Sequence, residues 1–228
     1  MISYVHALRA RQLRRSGDPR SQLLARAIAR LSRAPAPGAY STLWTDAIYG
    51  WGNEKWSAEE RYLAEVVRFA ERTDGPILEC GSGLTTLLLG AVAARTGVQV
   101  HALEHNPEWH GRVTQSMREF GMRNVTVHLT PLRDFGDYDW YDVSLATLPR
   151  GFTFVICDGP PASTRGGRSG MMPTMRHNLA PACEILLDDL VRPAEQELVR
   201  RWVRELGATA ETRASRRGGF ARIKLRGA

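Results

Sequence analysis

The stretch Ile77-Leu-Glu-Cys-Gly-Ser-Gly83 decides the fold class of this chain. A short, mostly apolar run leads directly into two glycines, and a second apolar run starts at Leu84. Gly81 permits a tight turn between strand and helix, and Gly83 lets the backbone approach a ligand closely. The same glycine pair is also typical of an ordinary strand-to-helix turn, so further signals are needed to assign a binding site.

Strand-like and helix-like runs alternate on both sides of this turn. The pattern predicts an α/β fold with a doubly wound, mostly parallel sheet. Residues 209–215 and 220–225 flank a glycine-rich turn and predict a C-terminal antiparallel hairpin. The other strands are expected at 77–80, 98–103, 125–129, 152–157 and 184–187, and the helices at 85–95, 108–120 and 193–206.

A basic N-terminal helical extension precedes this domain. Residues 1–34 contain eight arginines and one acidic residue, a local charge of +7 that equals the formal charge of the whole chain. Ala34-Pro-Ala-Pro-Gly-Ala39 breaks any helix and marks a linker. We therefore expect a basic helical arm and linker over 1–39 and one α/β domain over 40–228. The arm favours nucleic acid, an anionic membrane or an acidic partner, or is a solvated arginine-rich helix; a mitochondrial transit peptide is a minority alternative.

A helix is also expected just before the first strand. Ser57-Ala-Glu-Glu60 matches a capping box, with Ser57 as N-cap and Glu60 three residues later. The apolar spacing over residues 62–69 supports this helix.

Cysteine usage and hydropathy bear on the compartment. Cys80, Cys157 and Cys183 lie in or beside apolar strand-like runs, so buried free thiols are expected rather than disulfides. The longest nearly apolar stretch, residues 84–94, is too short to span a bilayer. We expect a soluble, cytoplasmic protein, and the sequence leaves its oligomeric state open.

Two carboxylates at strand ends point to the cofactor. Glu79, two residues before the glycines, would repel a pyrophosphate but suits a cofactor with an ammonium group and a sulfonium. The third glycine of a dinucleotide fingerprint is missing, because Leu84-Thr-Thr86 follows Gly83. Glu104 ends the next strand 25 residues later, where a carboxylate accepts hydrogen bonds from ribose hydroxyls.

With these motifs in order, the sequence resembles class I S-adenosylmethionine-dependent methyltransferases, in particular the bacterial small-molecule O-methyltransferase branch. The resemblance covers roughly residues 51–225 and implies a Rossmann-like sheet. The matching stretches are Leu78-Glu-Cys-Gly-Ser-Gly-Leu-Thr-Thr86, Ala102-Leu-Glu-His-Asn-Pro-Glu-Trp109, Val155-Ile-Cys-Asp-Gly-Pro-Pro161 and Ile185-Leu-Leu-Asp-Asp189.

The resemblance also implies positions for the cofactor S-adenosylmethionine. Glu104 would hold the ribose, and Leu132, after the third strand, would pack near the adenine. The methionine end would be lined by Glu79, Gly81, Ser82 and Gly83.

A zinc site is a competing interpretation of the same region. His101-Ala-Leu-Glu-His105 fits the H-x-x-E-H pattern of a zinc peptidase, which needs these residues on one face of a helix. Residues 98–103 alternate like a strand, and Asn106-Pro107 delays any helix until after the motif. We therefore disfavour zinc here.

Three further acids concern the reaction. Asp158 ends the fourth strand, and Asp188 and Asp189 end the fifth, so the three carboxylates are expected to converge. Such a cluster raises its own pKa values unless a cation neutralises it, and Mg²⁺ prefers oxygen ligands. We expect a divalent-metal site formed by these three acids, with turn chemistry as the alternative. Asp158 is the candidate catalytic proton acceptor and His177 a distant second.

The predicted function is O-methylation of a hydroxylated small molecule. Mg²⁺ bound at the predicted metal site would assist this reaction. The alternative is an RNA or other nucleic-acid methyltransferase, or a binding module, that uses the basic arm. It ranks lower because Gly159 interrupts the Asp-Pro-Pro order that resembles base-amine methyltransferases. An NAD-linked oxidoreductase is disfavoured by Glu79 and by the missing glycine.

Overall fold

The computed structural model describes residues 2–16, 19–215 and 218–227. A central sheet lies between two layers of helices, and a small hairpin is attached to it. The helices are α1 (Ile2–Ser16), α2 (Arg20–Arg33), α3 (Leu43–Trp51), α4 (Glu60–Ala70), α5 (Leu84–Thr96), α6 (Pro107–Glu119), α7 (Met171–Met175) and α8 (Pro193–Leu206). The strands are β1 (Ile77–Cys80), β2 (Val100–Glu104), β3 (Val125–Leu129), β4 (Leu132–Asp134), β5 (Asp139–Tyr141), β6 (Phe152–Cys157), β7 (Leu179–Leu187), β8 (Thr209–Ala214) and β9 (Gly219–Lys224).

The main sheet has seven strands in the order β3-β2-β1-β6-β7-β9-β8. The first five of these are parallel, whereas β9 runs antiparallel to both β7 and β8. The strand order reverses between β1 and β6, which places their carboxyl ends at the topological switch point. This confirms the predicted α/β, Rossmann-like, doubly wound sheet with a C-terminal antiparallel hairpin.

Burial on both faces explains why β1 and β6 are almost continuously apolar. All four residues of β1 are buried, and five of the six residues of β6 are buried. Parallel strands covered by helices on both sides have this composition. Glu79 is therefore an exception that needs a reason, since a fully buried carboxylate is costly without a partner.

Two local features differ from the sequence prediction. Helix α4 begins at Glu60 with Glu59 as its N-cap, and the Ser57 hydroxyl donates to the Asn53 carbonyl at 3.0 Å. The capping-box prediction was therefore wrong, because a turn at 53–57 already uses the serine. The antiparallel hairpin β4–β5 was not predicted, since each of its strands has only three residues.

The N-terminal extension is helical, as predicted, and it packs onto the α/β body. Helix α2 buries one apolar face, which includes Leu23, Ile28 and Leu31, and contacts α3 and α5. In α1, the His6 imidazole hydrogen-bonds Thr45 at 2.7 Å, so this helix is fastened to α3. The interpretation of this region as a solvated arginine-rich helix is therefore wrong, because α1 and α2 contact the rest of the chain. A domain boundary at residue 39 stays a prediction.

The cysteines and the helices bear on two other expectations. Cys80, Cys157 and Cys183 are buried free thiols, as predicted. Within the described ranges, none of the helices combines the length and apolar character needed to cross a lipid bilayer.

Candidate active site

A large cavity of about 1490 Å³ opens at the carboxyl ends of β1, β2, β6 and β7. Residues after each of these strands line it, as expected for an open α/β sheet. Residues from α1, from α3 and from the segment 53–61 also line the cavity, so the N-terminal part of the chain contributes to its wall. Among the predicted site residues, those that line it are Gly81, Ser82, Gly83, Glu104, Asp158, Asp188 and Asp189.

The glycine turn after β1 is shaped by close packing against the turn after β6. Gly81 has a φ of +88°, and a Cβ there would lie 2.9 Å from the Gly159 nitrogen. Both constraints require glycine at this position. Gly83 has extended backbone, and a Cβ there would meet nothing within 4 Å. Its missing side chain therefore leaves open space in the cavity wall.

Glu79 is fully buried beside this turn. The Thr86 hydroxyl donates to Glu79 Oε2 at 2.6 Å, but Glu79 Oε1 has no hydrogen-bond partner among the described residues. Burial raises the pKa of Glu79 to about 8, against the lowering effect of the nearby Thr85 and Thr86 hydroxyls. Glu79 is not itself one of the residues that line the cavity. An unpaired buried carboxylate oxygen is costly, and a cationic group is the kind of partner that would satisfy it.

Glu104 is held in its ionised form at the end of β2. Ser82 donates to Glu104 Oε2 from its backbone nitrogen at 3.1 Å and from its hydroxyl at 2.8 Å. The Asn106 amide donates to Glu104 Oε1 at 2.8 Å, and His105 Nδ1 lies 3.3 Å from the same oxygen. Burial raises the pKa of Glu104, but these hydrogen bonds outweigh it and leave the pKa below its ordinary value. Glu104 therefore joins the glycine turn to β2.

An aromatic cluster supports the same turn, and the sequence analysis missed its role. The Trp109 indole donates to the Ser82 carbonyl at 2.7 Å. Trp109 packs edge-on against Trp51, with 5.7 Å between ring centroids, and the Arg112 guanidinium lies over both rings. Because Trp51 belongs to α3, this cluster joins α3 to the glycine turn at residues 81–83.

The structure brings the three predicted acids together in the cavity wall, around the side chain of Arg168. The Arg168 side chain is only 2% exposed. Its guanidinium lies 3.1 Å from Asp158 Oδ1 and 2.6 Å from Asp189 Oδ2, and donates to the backbone carbonyls of Asp158 and Asp188. Burial disfavours its charged form, but Asp158 and the other two acids raise the pKa of Arg168 above its ordinary value. Arg168 is therefore a cation that Asp158 and Asp189 share.

This arrangement does not fit the predicted Mg²⁺ site. Across residues 2–16, 19–215 and 218–227, no three His, Cys, Asp or Glu side chains are placed to hold a metal ion. The physical reason is that Arg168 lies between Asp158 and Asp189, where a shared cation would have to bind. A guanidinium supplies the positive charge that the sequence analysis assigned to a metal.

The acids differ in how they are held. Asp189 also pairs with Arg192 at 2.7 Å and has a φ of +60°, a left-handed conformation that costs about 1 kcal/mol. Asp188 is 5% exposed, and its carboxylate makes no ion pair with any described residue. Burial, reinforced by Asp158 and Asp189, raises the pKa of Asp188 well above its ordinary value. Burial likewise raises the pKa of Asp158, although Arg168 opposes the shift.

Other predicted residues lie elsewhere. Leu132 starts β4, pairs with Tyr141 across the hairpin and is half-buried, and it is not part of the cavity wall. His177 is exposed in a short 3₁₀ turn after α7 and also lies outside the wall. Tyr141 does line the cavity, and its buried hydroxyl has no hydrogen-bond partner among the described residues.

The H-x-x-E-H motif lies on a strand, as the periodicity predicted. His101 is in β2 and pairs with His128 of β3 at 3.1 Å, whereas Glu104 faces the Ser82 turn. The motif therefore lacks the helical face that a zinc peptidase needs.

Comparison with solved structures identifies the fold. A methyltransferase of Podospora anserina solved with SAH bound is 16% identical with a TM-score of 0.61, and the match covers 89% of this chain and 94% of that one. A methyltransferase of Geobacter sulfurreducens is 10% identical with a TM-score of 0.59, covering 83% and 91%. Precorrin-6y C5,15-methyltransferase of Geobacter metallireducens is 14% identical with a TM-score of 0.55, covering 76% and 91%. No protein-family model and no curated protein matches the sequence significantly. The chain therefore has the Rossmann-like fold of these methyltransferases.

Proposed function

We propose that this protein is an S-adenosylmethionine-dependent methyltransferase that methylates a hydroxyl group of a small molecule. The observation that carries the proposal is Glu79 Oε1, a fully buried oxygen with no hydrogen-bond partner among the described residues, beside the cavity-lining turn. An ammonium group satisfies such an oxygen and favours the ionised form of the carboxyl group, whereas a pyrophosphate disfavours that form. The solved neighbour with SAH bound, which shares the fold, supports the same ligand class.

Each predicted cofactor residue then has a role. Glu79 would bind the ammonium group, and the backbone of Gly81, Ser82 and Gly83 would contact the methionine part. Glu104, held ionised by its neighbours, would accept hydrogen bonds from the ribose hydroxyls. Leu132 packing near the adenine stays a prediction, since this residue lies outside the cavity wall.

Bound S-adenosylmethionine would supply a methyl carbon made electrophilic by its sulfonium. Transfer of that methyl group to an acceptor oxygen would break the carbon–sulfur bond and leave its electron pair on sulfur, while the acceptor oxygen would lose its proton. The acceptor proton passes to a carboxylate at the end of β6 or β7, for which Asp158 is our candidate. Asp158 lines the cavity, is 29% exposed and has a raised pKa, so it is accessible and suited to taking up a proton. Positioning in the cleft supplies most of the catalysis.

Metal assistance is not part of this proposal, because Arg168 already lies between Asp158 and Asp189. Cytoplasmic location stays a prediction that rests on the three buried free thiols. The alternative of a nucleic-acid substrate gives a different expectation, namely RNA affinity that falls steeply with salt.

Isothermal titration of the purified chain with S-adenosylhomocysteine, S-adenosylmethionine and NADH tests the function. We expect both sulfur ligands to bind with one site per chain and NADH not to bind. Glu79→Gln should weaken S-adenosylmethionine binding, with Glu65→Gln on the outer part of α4 as a matched control. Failure of both sulfur ligands to bind would overturn the proposal.

A further inference from the structure

Three exposed arginines lie along one side of α2. Arg26, Arg30 and Arg33 follow one another at intervals of four and three residues, and their side chains are exposed. In an α-helix this spacing places them within an arc of about 60° and along about 10 Å of the helix axis. We call these three side chains the arginine row. None of them lines the large cavity, so the row is separate from the candidate active site.

The apolar side of α2 fixes the direction in which the row points. Leu23, Ile28 and Leu31 are buried, and α2 contacts α3 and α5. A helix that binds the surface of a bilayer needs a free apolar face to insert among the lipids. The apolar face of α2 is covered by the protein itself, so the row is not the polar side of a membrane-inserting helix.

The contacts of the row leave its charge in place. Arg26 donates to the Gln22 side chain at 3.4 Å, and Arg30 donates to the Pro35 carbonyl at 3.1 Å. Both acceptors are neutral, so neither hydrogen bond removes a charge. Across residues 2–16, 19–215 and 218–227, no row arginine forms an ion pair.

The acids near α2 pair with other arginines. Neither α2 nor α5 contains an Asp or Glu. The acids in α3 or beside α2 each form an ion pair with an arginine outside the row: Asp46 with Arg9 at 2.7 Å, Glu54 with Arg20 at 2.9 Å, and Glu71 with Arg95. In the sequence, the acid of residues 1–45 is Asp18, eight positions before Arg26 and outside the described residues. The row therefore carries three positive charges that no described carboxylate pairs with.

This arrangement suits a ligand whose negative charges repeat along a line. A guanidinium binds phosphate through two parallel hydrogen bonds, and a nucleic acid strand carries one phosphate for each nucleotide. A small single anion instead needs donors that converge on one point, whereas the row spreads its donors along an open helix surface.

We propose that the arginine row binds the phosphate backbone of a single-stranded nucleic acid without reading its bases. This strand is not the methyl acceptor, because the row lies outside the cavity. The inference therefore does not rest on the proposed function.

The test measures the affinity of the full chain for a fluorescein-labelled single-stranded RNA of mixed sequence by fluorescence anisotropy, at about 50 to 200 mM salt. Each phosphate contact to a single strand contributes about −0.7 to the slope of log affinity against log salt concentration. The combined variant Arg26→Gln, Arg30→Gln and Arg33→Gln should therefore bind more weakly at low salt, with a slope shallower by about 2. Each single variant should lose about 0.7.

The matched control removes the same number of charges from other exposed arginines that form no ion pair with described residues. It combines Arg123→Gln, Arg176→Gln and Arg226→Gln, which lie on different parts of the surface. We expect its slope to equal that of the native chain, and circular dichroism to show the native fold for both combined variants. A row variant that keeps the native slope, or a control that loses as much as the row variant, would overturn the inference.

Two further arms separate nucleic acid from other anions and from the cavity. Phosphatidylserine vesicles and polyglutamate should compete with the RNA much less than unlabelled RNA does at equal charge. Equal competition by either anion would overturn the assignment to nucleic acid. Saturating S-adenosylhomocysteine should leave RNA affinity unchanged, and a change in affinity that the row variants do not alter would place the RNA in the cavity instead.

Discussion

Arg168 donates a 2.6 Å hydrogen bond to Asp189 Oδ2 from a side chain that is only 2% exposed. One buried guanidinium thereby holds the end of β7, while its other contacts hold the end of β6 through Asp158. The carboxyl ends of two neighbouring strands are joined by a charge that comes from the loop between them.

Replacing Arg168 with Gln should destabilise the fold strongly. The substitution leaves Asp158 and Asp189 close together without their shared cation, and breaking a buried ion pair costs about 3–5 kcal/mol. Urea unfolding followed by circular dichroism measures the loss. Arg165→Gln is the matched control, because Arg165 is 48% exposed and its solvent-screened pairs with Asp134 and Asp139 should contribute little to stability. Similar losses for both variants would show that Arg168 does not neutralise the acids.

Addition of Mg²⁺ should leave the thermal midpoint of the native chain unchanged. Arg168 lies between the carboxylates that a metal would share, so we expect millimolar Mg²⁺ not to bind these oxygens and not to stabilise the folded chain. Differential scanning calorimetry with Mg²⁺ and with EDTA measures this. An increase in the midpoint that Asp189→Asn abolishes would restore the metal site.

Alanine at Gly81 should destabilise the fold, whereas alanine at Gly83 should weaken ligand binding. At Gly81 the positive φ and the Gly159 nitrogen 2.9 Å from a new Cβ predict a loss of stability of about 1–3 kcal/mol. Gly83→Ala meets open space, so the fold should keep its stability while the methyl group enters the cavity and weakens S-adenosylhomocysteine binding. Thermal unfolding and calorimetric titration of both variants separate the two effects. A stable Gly81→Ala that binds normally would contradict the assigned packing.

Binding of S-adenosylmethionine should tighten as the pH rises from 6 to 8. The pKa of Glu79 is about 8 in the ligand-free chain, so the residue is mostly protonated near neutral pH. A bound ammonium group favours the ionised form and lowers this pKa, so binding releases a proton and affinity increases by up to about tenfold per pH unit. Above pH 8 this gain ends, because Glu79 is already ionised before binding.

Calorimetric titration in buffers of different ionisation enthalpy measures both the affinity and the proton release. Glu79→Gln should abolish the proton release and flatten the pH profile between 6 and 8. A native profile that is already flat would mean that Glu79 does not bind the cationic group.

The sequence by itself determined the order of the strands of the main sheet and of the helices α5, α6 and α8, because local features carry it. Apolar runs, the glycine turn after β1 and the Pro-initiated helix at Pro193 are local signals, and they placed α8 at its observed bounds. The carboxylates Glu79, Glu104 and Asp158 could be predicted for the same reason, since each lies at or next to the carboxyl end of a strand, which must face the ligand side of the sheet.

Tertiary structure alone decided what surrounds these carboxylates. Arg168 lies 10 residues beyond Asp158 and 21 before Asp189, and no local pattern indicates that its side chain turns back between them. The contact of Trp51 with Trp109 and the hydrogen bond of His6 with Thr45 likewise join segments far apart in sequence. Such contacts depend on how the helices pack on the sheet. A buried ring or charge is stabilised by the side chains that the fold brings next to it, and these are not its neighbours in sequence. A single sequence therefore predicts where acids end strands, and only the folded chain shows that an arginine neutralises them.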